Sequence, residues 1–159
     1  TGASMSAQRL YHSVTLLLPD GTVLSTGGGA PGPVTNFNAQ VYSPGYLFAS
    51  DGTRAKRPVI EKAPGALPRV VNPGTTLSLV SPDAASIQRV TLVKTGSVTH
   101  SFDMDQRFIE ATFTRNGNTL NVQLPPASEH ATPPGFYMVF VIDAAGTPSE
   151  ALMIRINPT

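Results

Sequence analysis

Gly135-Phe136-Tyr137-Met138-Val139-Phe140-Val141-Ile142 is apolar on both of its alternating faces. A short run of β-branched and aromatic residues with that pattern reads as a central strand, covered on each side. Around it the same vocabulary recurs in short pieces: Pro58 to Lys62, Thr75 to Val80, Ile87 to Val93, Phe108 to Thr114, Thr119 to Gln123 and Leu152 to Ile156. In Thr75 to Val80, Leu77 and Leu79 alternate with Thr76 and Ser78, which predicts one buried and one wet face. Arg115-Asn116-Gly117-Asn118 has the Asn-Gly chemistry of a tight hairpin.

Seven short strands in roughly a hundred residues suit an immunoglobulin-like sandwich. Upstream, Tyr11 to Leu18 and Thr22 to Thr26 flank Pro19-Asp20-Gly21 and read as a hairpin. Gly27-Gly28-Gly29 breaks the pattern, and Ala39 to Ser43 supplies a third strand. Three short strands with a glycine cluster after the second resemble one blade of a kelch-type β-propeller. One blade cannot bury both faces, so further chain is expected upstream. The polar stretch Asp51 to Arg57 divides a blade over residues 1–50 from a sandwich over 51–159. The expected fold class is all-β, with no helix longer than two turns.

The chain has 159 residues, a formal net charge of +1 and 13% charged residues. It has no basic stripe for a phosphate backbone and no apolar stretch of membrane length, so neither nucleic acid nor membrane is an expected partner. With no cysteine, disulfides and thiolate chemistry are excluded. Thr1 to Gln8 lacks the charged and apolar regions of a signal peptide. Three histidines remain. His130 lies in a proline-rich loop and reads as a solvated residue. His12 and His100 are 88 positions apart, and their spacing alone says nothing of a shared site.

Arg9-Leu10-Tyr11-His12-Ser13, Leu16-Leu17-Leu18-Pro19-Asp20-Gly21 and Gly27-Gly28-Gly29 together resemble the galactose oxidase and glyoxal oxidase family of copper radical enzymes. The likeness continues through Ala39-Gln40-Val41-Tyr42-Ser43-Pro44, Thr99-His100-Ser101, Asp105-Gln106-Arg107 and Pro134-Gly135-Phe136-Tyr137-Met138. It implies the carboxy-terminal part of a secreted oxidase, with a last propeller blade and an early-set sandwich. It further implies copper held by His12, His100 and an axial Tyr11, with Tyr11 as the base that takes a substrate hydroxyl proton. The radical-bearing tyrosine, cross-linked to a cysteine, is expected on the upstream propeller, together with the substrate-facing residues. The implied reaction oxidises a small alcohol, aldehyde or carbohydrate substrate and reduces O2 to hydrogen peroxide. The alternative is a non-catalytic carbohydrate-binding or adhesion sandwich on a propeller without its radical site.

The residues around these motifs carry further expectations of their own. Asp103 and Asp105 read as solvated turn carboxylates, and Gln106 and Arg107 as hydrogen-bonding ties for the loop that carries His100. Phe102 and Met104 are expected to bury beneath His100, and Tyr42 and Tyr46 to pack in the core or between domains. Consecutive side chains on a regular strand point to opposite faces. Tyr11 and His12 can therefore serve one ion only if the backbone leaves ideal β-geometry there, or if the pair precedes the start of strand pairing.

Overall fold

In the computed structural model, residues 2–61, 68–100 and 102–158 are described. Lys62, at the end of an expected strand, and Ser101, in the Thr-His-Ser motif, lie outside them. The first sheet is an antiparallel meander of β1 (Ser13–Leu17), β2 (Val23–Gly27) and β3 (Ala39–Tyr42), in that order. Its hairpin is closed by backbone bonds from Leu18 to Thr22 and from Gly21 to Leu18. Within the turn, Asp20 accepts from the Thr22 hydroxyl at 2.6 Å and the Thr22 amide at 2.9 Å. These bonds, the hydroxyl foremost, hold the Asp20 carboxyl below its usual range.

Ten further strands follow: β4 (Arg69–Val71), β5 (Thr76–Val80), β6 (Ile87–Lys94), β7 (Val98–Thr99), β8 (Phe102–Asp103), β9 (Phe108–Ala111), β10 (Phe113–Asn116), β11 (Thr119–Gln123), β12 (Gly135–Asp143) and β13 (Leu152–Ile156). They form a three-stranded sheet β10-β11-β5, a five-stranded sheet β4-β13-β12-β6-β9 and the small hairpin β7-β8. Among the described residues the only helical pieces are three 3-10 turns of three residues each. The all-β reading therefore holds.

The two larger sheets enclose one core. Leu77 and Leu79 of β5, with Leu120 and Val122 of β11, meet Val90 and Leu92 of β6, Val139 and Val141 of β12, and Ile154 of β13. Each side chain of this kind contributes about 1.5–3 kcal/mol when fully buried.

Two expected strands come out differently. Phe108 to Thr114 is not one strand: the chain leaves the five-stranded sheet after Ala111 and enters the other sheet at Phe113. Switching at Thr112 lets Ala111 and Phe113 approach one core from opposite sides. Pro58 to Ile60 forms no strand, and Val59 is exposed. Pro58 has no N–H to donate, the Val59 amide is spent on the Asp83 carboxylate at 3.0 Å, and a single backbone bond, from the Glu61 amide to the Val80 carbonyl at 2.8 Å, reaches β5. Instead, Arg69–Val71 pairs in parallel with β13.

The apolar character of β12 on both faces has a direct cause. Tyr137, Val139 and Val141 point into the core between the sheets, while Met138 and Phe140 are buried on the opposite face. That outer face looks toward the meander: Leu17 and Phe140 line one cleft, and Leu16, Leu17 and Met138 line another. Arg57 then ties the two parts together. Its guanidinium donates to the carbonyls of Asp20 in the meander turn (2.6 Å) and of Pro148 (2.8 Å) and Ser149 near β13. The Ala151 amide adds a bond to the Pro19 carbonyl at 2.8 Å. Gly96 permits a further close approach, because a Cβ there would stand 2.7 Å from Leu16.

Candidate metal centre

Tyr11 and His12 stand just before β1, in a turn closed by the Ser13 amide on the Leu10 carbonyl at 3.0 Å. His12 is left-handed, with φ 66°. This is the departure from strand geometry that two adjacent residues need if they are to face one point, and it occurs where strand pairing has not yet begun. The glycine cluster makes room for it. A Cβ on Gly28 would lie 2.9 Å from the Leu10 nitrogen and 3.0 Å from its carbonyl oxygen. Gly29 donates its amide to the Tyr11 carbonyl at 2.7 Å. Arg9 adds bonds to the carbonyls of Gly27 and Asn38, and Asn36 bonds the Gln8 carbonyl.

His100 follows β7 at the tip of the β7-β8 hairpin, also left-handed at φ 50°. The base of that hairpin is organised by Asp103, which accepts from the amides of Ser97 (2.9 Å) and Asp105 (3.1 Å). Asp105 in turn pairs with the nearly buried Lys94 ammonium at 2.7 Å. Asp103 and Asp105 are thus not free solvated turn carboxylates: they fix the loop. Arg107 and Gln106 contribute less than expected. Among the described residues the Arg107 side chain bonds only the Gln106 carbonyl, while its own carbonyl accepts from the Lys94 amide. Phe102 and Met104 do not bury beneath His100; they are 70% and 71% exposed, because a two-residue hairpin offers no interior.

The two loops meet. His12 Nε2 and His100 Nε2 are 3.3 Å apart. The Tyr11 ring centroid lies 3.8 Å from that of His12 and 5.6 Å from that of His100. All three residues are exposed. Each imidazole is oriented through its other nitrogen: His12 Nδ1 to the Ala30 carbonyl at 2.9 Å, and His100 Nδ1 to the Thr99 hydroxyl at 2.6 Å. A carbonyl can only accept, so His12 Nδ1 is the donor in this bond, and its Nε2 faces His100. Nitrogens sharing one ion at about 2 Å each stand about 3–4 Å apart, and the observed separation lies in that range. Two imidazoles and a phenol are a donor set that suits copper(II).

Among the described residues no group of three or more His, Cys, Asp or Glu is placed to hold a metal. His130 is an exposed residue capping a 3-10 turn, away from this pair in the sequence and left-handed like the other two. Tyr46 is half-buried beside the meander turn, donating to the Gly21 carbonyl at 2.6 Å, and burial raises its phenol above the usual range. Tyr42 is 40% exposed on β3 rather than packed in a core. Thr99 belongs to the Thr-His-Ser motif without a role of its own being readable there, and the Ala30 carbonyl, which orients the other ring, carries no signal in the sequence.

A galactose oxidase-like early-set domain model matches residues 57–156. The chain is 42% identical over 155 residues to a galactose oxidase of Gibberella zeae, covering 96% of this chain and 22% of that protein. It is 31% identical over 163 residues to an aldehyde oxidase of Vitis pseudoreticulata, covering 94% of this chain and 30% of the relative. Among solved structures, a fungal alcohol oxidase of the AA5 family in complex with copper superposes with a TM-score of 0.81 at 30% identity. It matches 98% of this chain, which spans 33% of that one. The chain therefore covers about a fifth to a third of these relatives.

Proposed function

The chain belongs to the galactose oxidase-like early-set family, and from that premise we propose that it is the carboxy-terminal segment of a secreted copper radical oxidase. Residues 1–50 form its last kelch-type propeller blade, and residues 51–159 its early-set sandwich. His12, His100 and Tyr11 hold the copper. The observation that carries this reading is the 3.3 Å approach of two Nε2 atoms from histidines 88 positions apart, each ring held through Nδ1. The exposed apolar residues of the meander, Phe37, Val41 and Tyr42, agree with a blade that further blades cover.

Copper bound there, with a cross-linked tyrosyl radical from the upstream propeller, supplies the two-electron oxidation of a primary alcohol or aldehyde hydrate and the reduction of O2 to hydrogen peroxide. The residues of this chain have narrower tasks. His12 and His100 present their Nε2 lone pairs from two different parts of the fold, so the site assembles only when the β7-β8 hairpin lies against the loop before β1. Tyr11, packed beside both rings, would take the substrate hydroxyl proton on its ionised phenol oxygen and pass it to the hydrogen peroxide formed from O2, since the aldehyde product carries none of it. The Ala30 carbonyl and the Thr99 hydroxyl keep both rings in place. The chain contains no cysteine, so the radical ligand must come from elsewhere and the segment alone does not turn over. The test is peroxide release from the oxidase that contains this segment, with a primary alcohol as substrate. Release must require copper and be lost in His12→Gln and in His100→Gln. Copper-independent release, or full activity in both variants, overturns the reading.

A further inference from the structure

The two histidines are held by partners of different chemistry. The Ala30 carbonyl accepts and cannot donate, so His12 has one available tautomer, with its proton on Nδ1. The Thr99 hydroxyl can do either, so His100 has two. At 3.3 Å the two Nε2 atoms cannot both be bare without placing two lone pairs against each other. A single proton between them resolves this, and His12 cannot supply it.

We propose that Thr99 is a tautomer-setting residue for His100. In the metal-free chain the Thr99 hydroxyl donates to His100 Nδ1, and His100 Nε2–H donates to His12 Nε2. When a metal ion occupies the pair, His100 needs its Nε2 lone pair. The proton is then carried on Nδ1, and the hydroxyl rotates to accept it. Loading thus exchanges one tautomer of His100 for the other. A side chain with a fixed hydrogen-bonding sense could not serve both states. This inference rests on the ligand reading above for the loaded state alone; the metal-free tautomers follow from the hydrogen bonds.

The experiment uses the 159-residue chain labelled with 15N at histidine, with Zn2+ as a diamagnetic probe. Peaks are assigned with His12→Gln and His100→Gln, and His130 serves as the internal reference. Without metal, His12 should be protonated at Nδ1 and His100 at Nε2; with Zn2+, His100 should change to Nδ1–H. Thr99→Val should weaken Zn2+ binding by about 10–100-fold, the usual cost of losing a partner to a metal-bound histidine. Thr99→Ser, which keeps the hydroxyl, should stay within about threefold. Histidine spectra of Thr99→Val that keep the His12 and His130 signals establish that the fold is intact. A His100 protonated at Nδ1 in the metal-free chain overturns the proposal, as does a Thr99→Val variant that binds like Thr99→Ser. Zn2+ binding indifferent to both His→Gln changes overturns the ligand reading instead, and the metal-free spectrum still judges the role of Thr99.

Discussion

Gly28→Ala tests whether the glycine cluster shapes the loop that carries Tyr11 and His12. Gly28 has φ +103°, and a Cβ there would stand 2.9 Å from the Leu10 nitrogen, 3.0 Å from the Leu10 oxygen and 3.0 Å from Ser13 Cβ. The first two are backbone atoms, so relief requires moving the main chain next to Tyr11. Gly52 separates the two contributions: its φ is +83°, with nothing within 4 Å of an added Cβ. Gly52→Ala should show the dihedral strain alone, about 1–2 kcal/mol. Gly28→Ala should add the steric displacement and cost about 3–4 kcal/mol in all. In a thermal melt of a chain this size, that difference is a fall of about 10 °C against about 4 °C. Copper or zinc titration should find metal affinity down at least tenfold in Gly28→Ala and unchanged in Gly52→Ala. The reasoning is refuted if the two variants melt together and bind metal alike.

Arg57→Met removes three hydrogen bonds to the carbonyls of Asp20, Pro148 and Ser149 and should lower stability by about 2–3 kcal/mol in denaturant unfolding, with the two parts losing cooperativity. Tyr137 is fully buried and donates to the Pro133 carbonyl at 2.7 Å, and burial pushes its phenol from 10.0 up to about 12. Its folded value lies above its unfolded one, so its contribution is complete below pH 10 and is lost as pH rises toward 12. That loss amounts to about 2–3 kcal/mol. Tyr137→Phe should flatten this alkaline limb, at a cost near neutrality of about 1–2 kcal/mol for the orphaned carbonyl. Tyr11→Phe, at a residue 58% exposed, should leave the melting temperature within about 1 °C while abolishing alcohol-dependent peroxide release by the oxidase that contains the chain.

Strand identity was legible wherever burial followed the two-residue period, as in Thr76–Val80, and where both faces were covered, as in β12. Sheet membership was not. Phe108 to Thr114 is one continuous strand-like run, and only the shape of the shared core decides that it changes sheets at Thr112. Arg69–Val71 is three residues long and pairs in parallel with a strand more than eighty positions away, which no local pattern announces. The pairing of His12 with His100 was readable only through family resemblance, because the contact spans two parts of the fold. Its geometry depends on left-handed backbone at both residues, which histidine composition does not reveal. Apolar character suggests burial for Phe102 and Met104, yet they sit on a hairpin that the described chain leaves uncovered.

The central claim is that His12 and His100 share one ion. Pulsed electron paramagnetic resonance of the chain with one equivalent of copper(II) tests it directly, since each coordinated imidazole imprints modulations from its remote nitrogen. The Nε2 separation of 3.3 Å predicts two coordinated imidazoles in the parent chain and one each in His12→Gln and His100→Gln, with His130→Gln unchanged. A single imidazole in the parent, or a signal that only His130→Gln alters, contradicts the account.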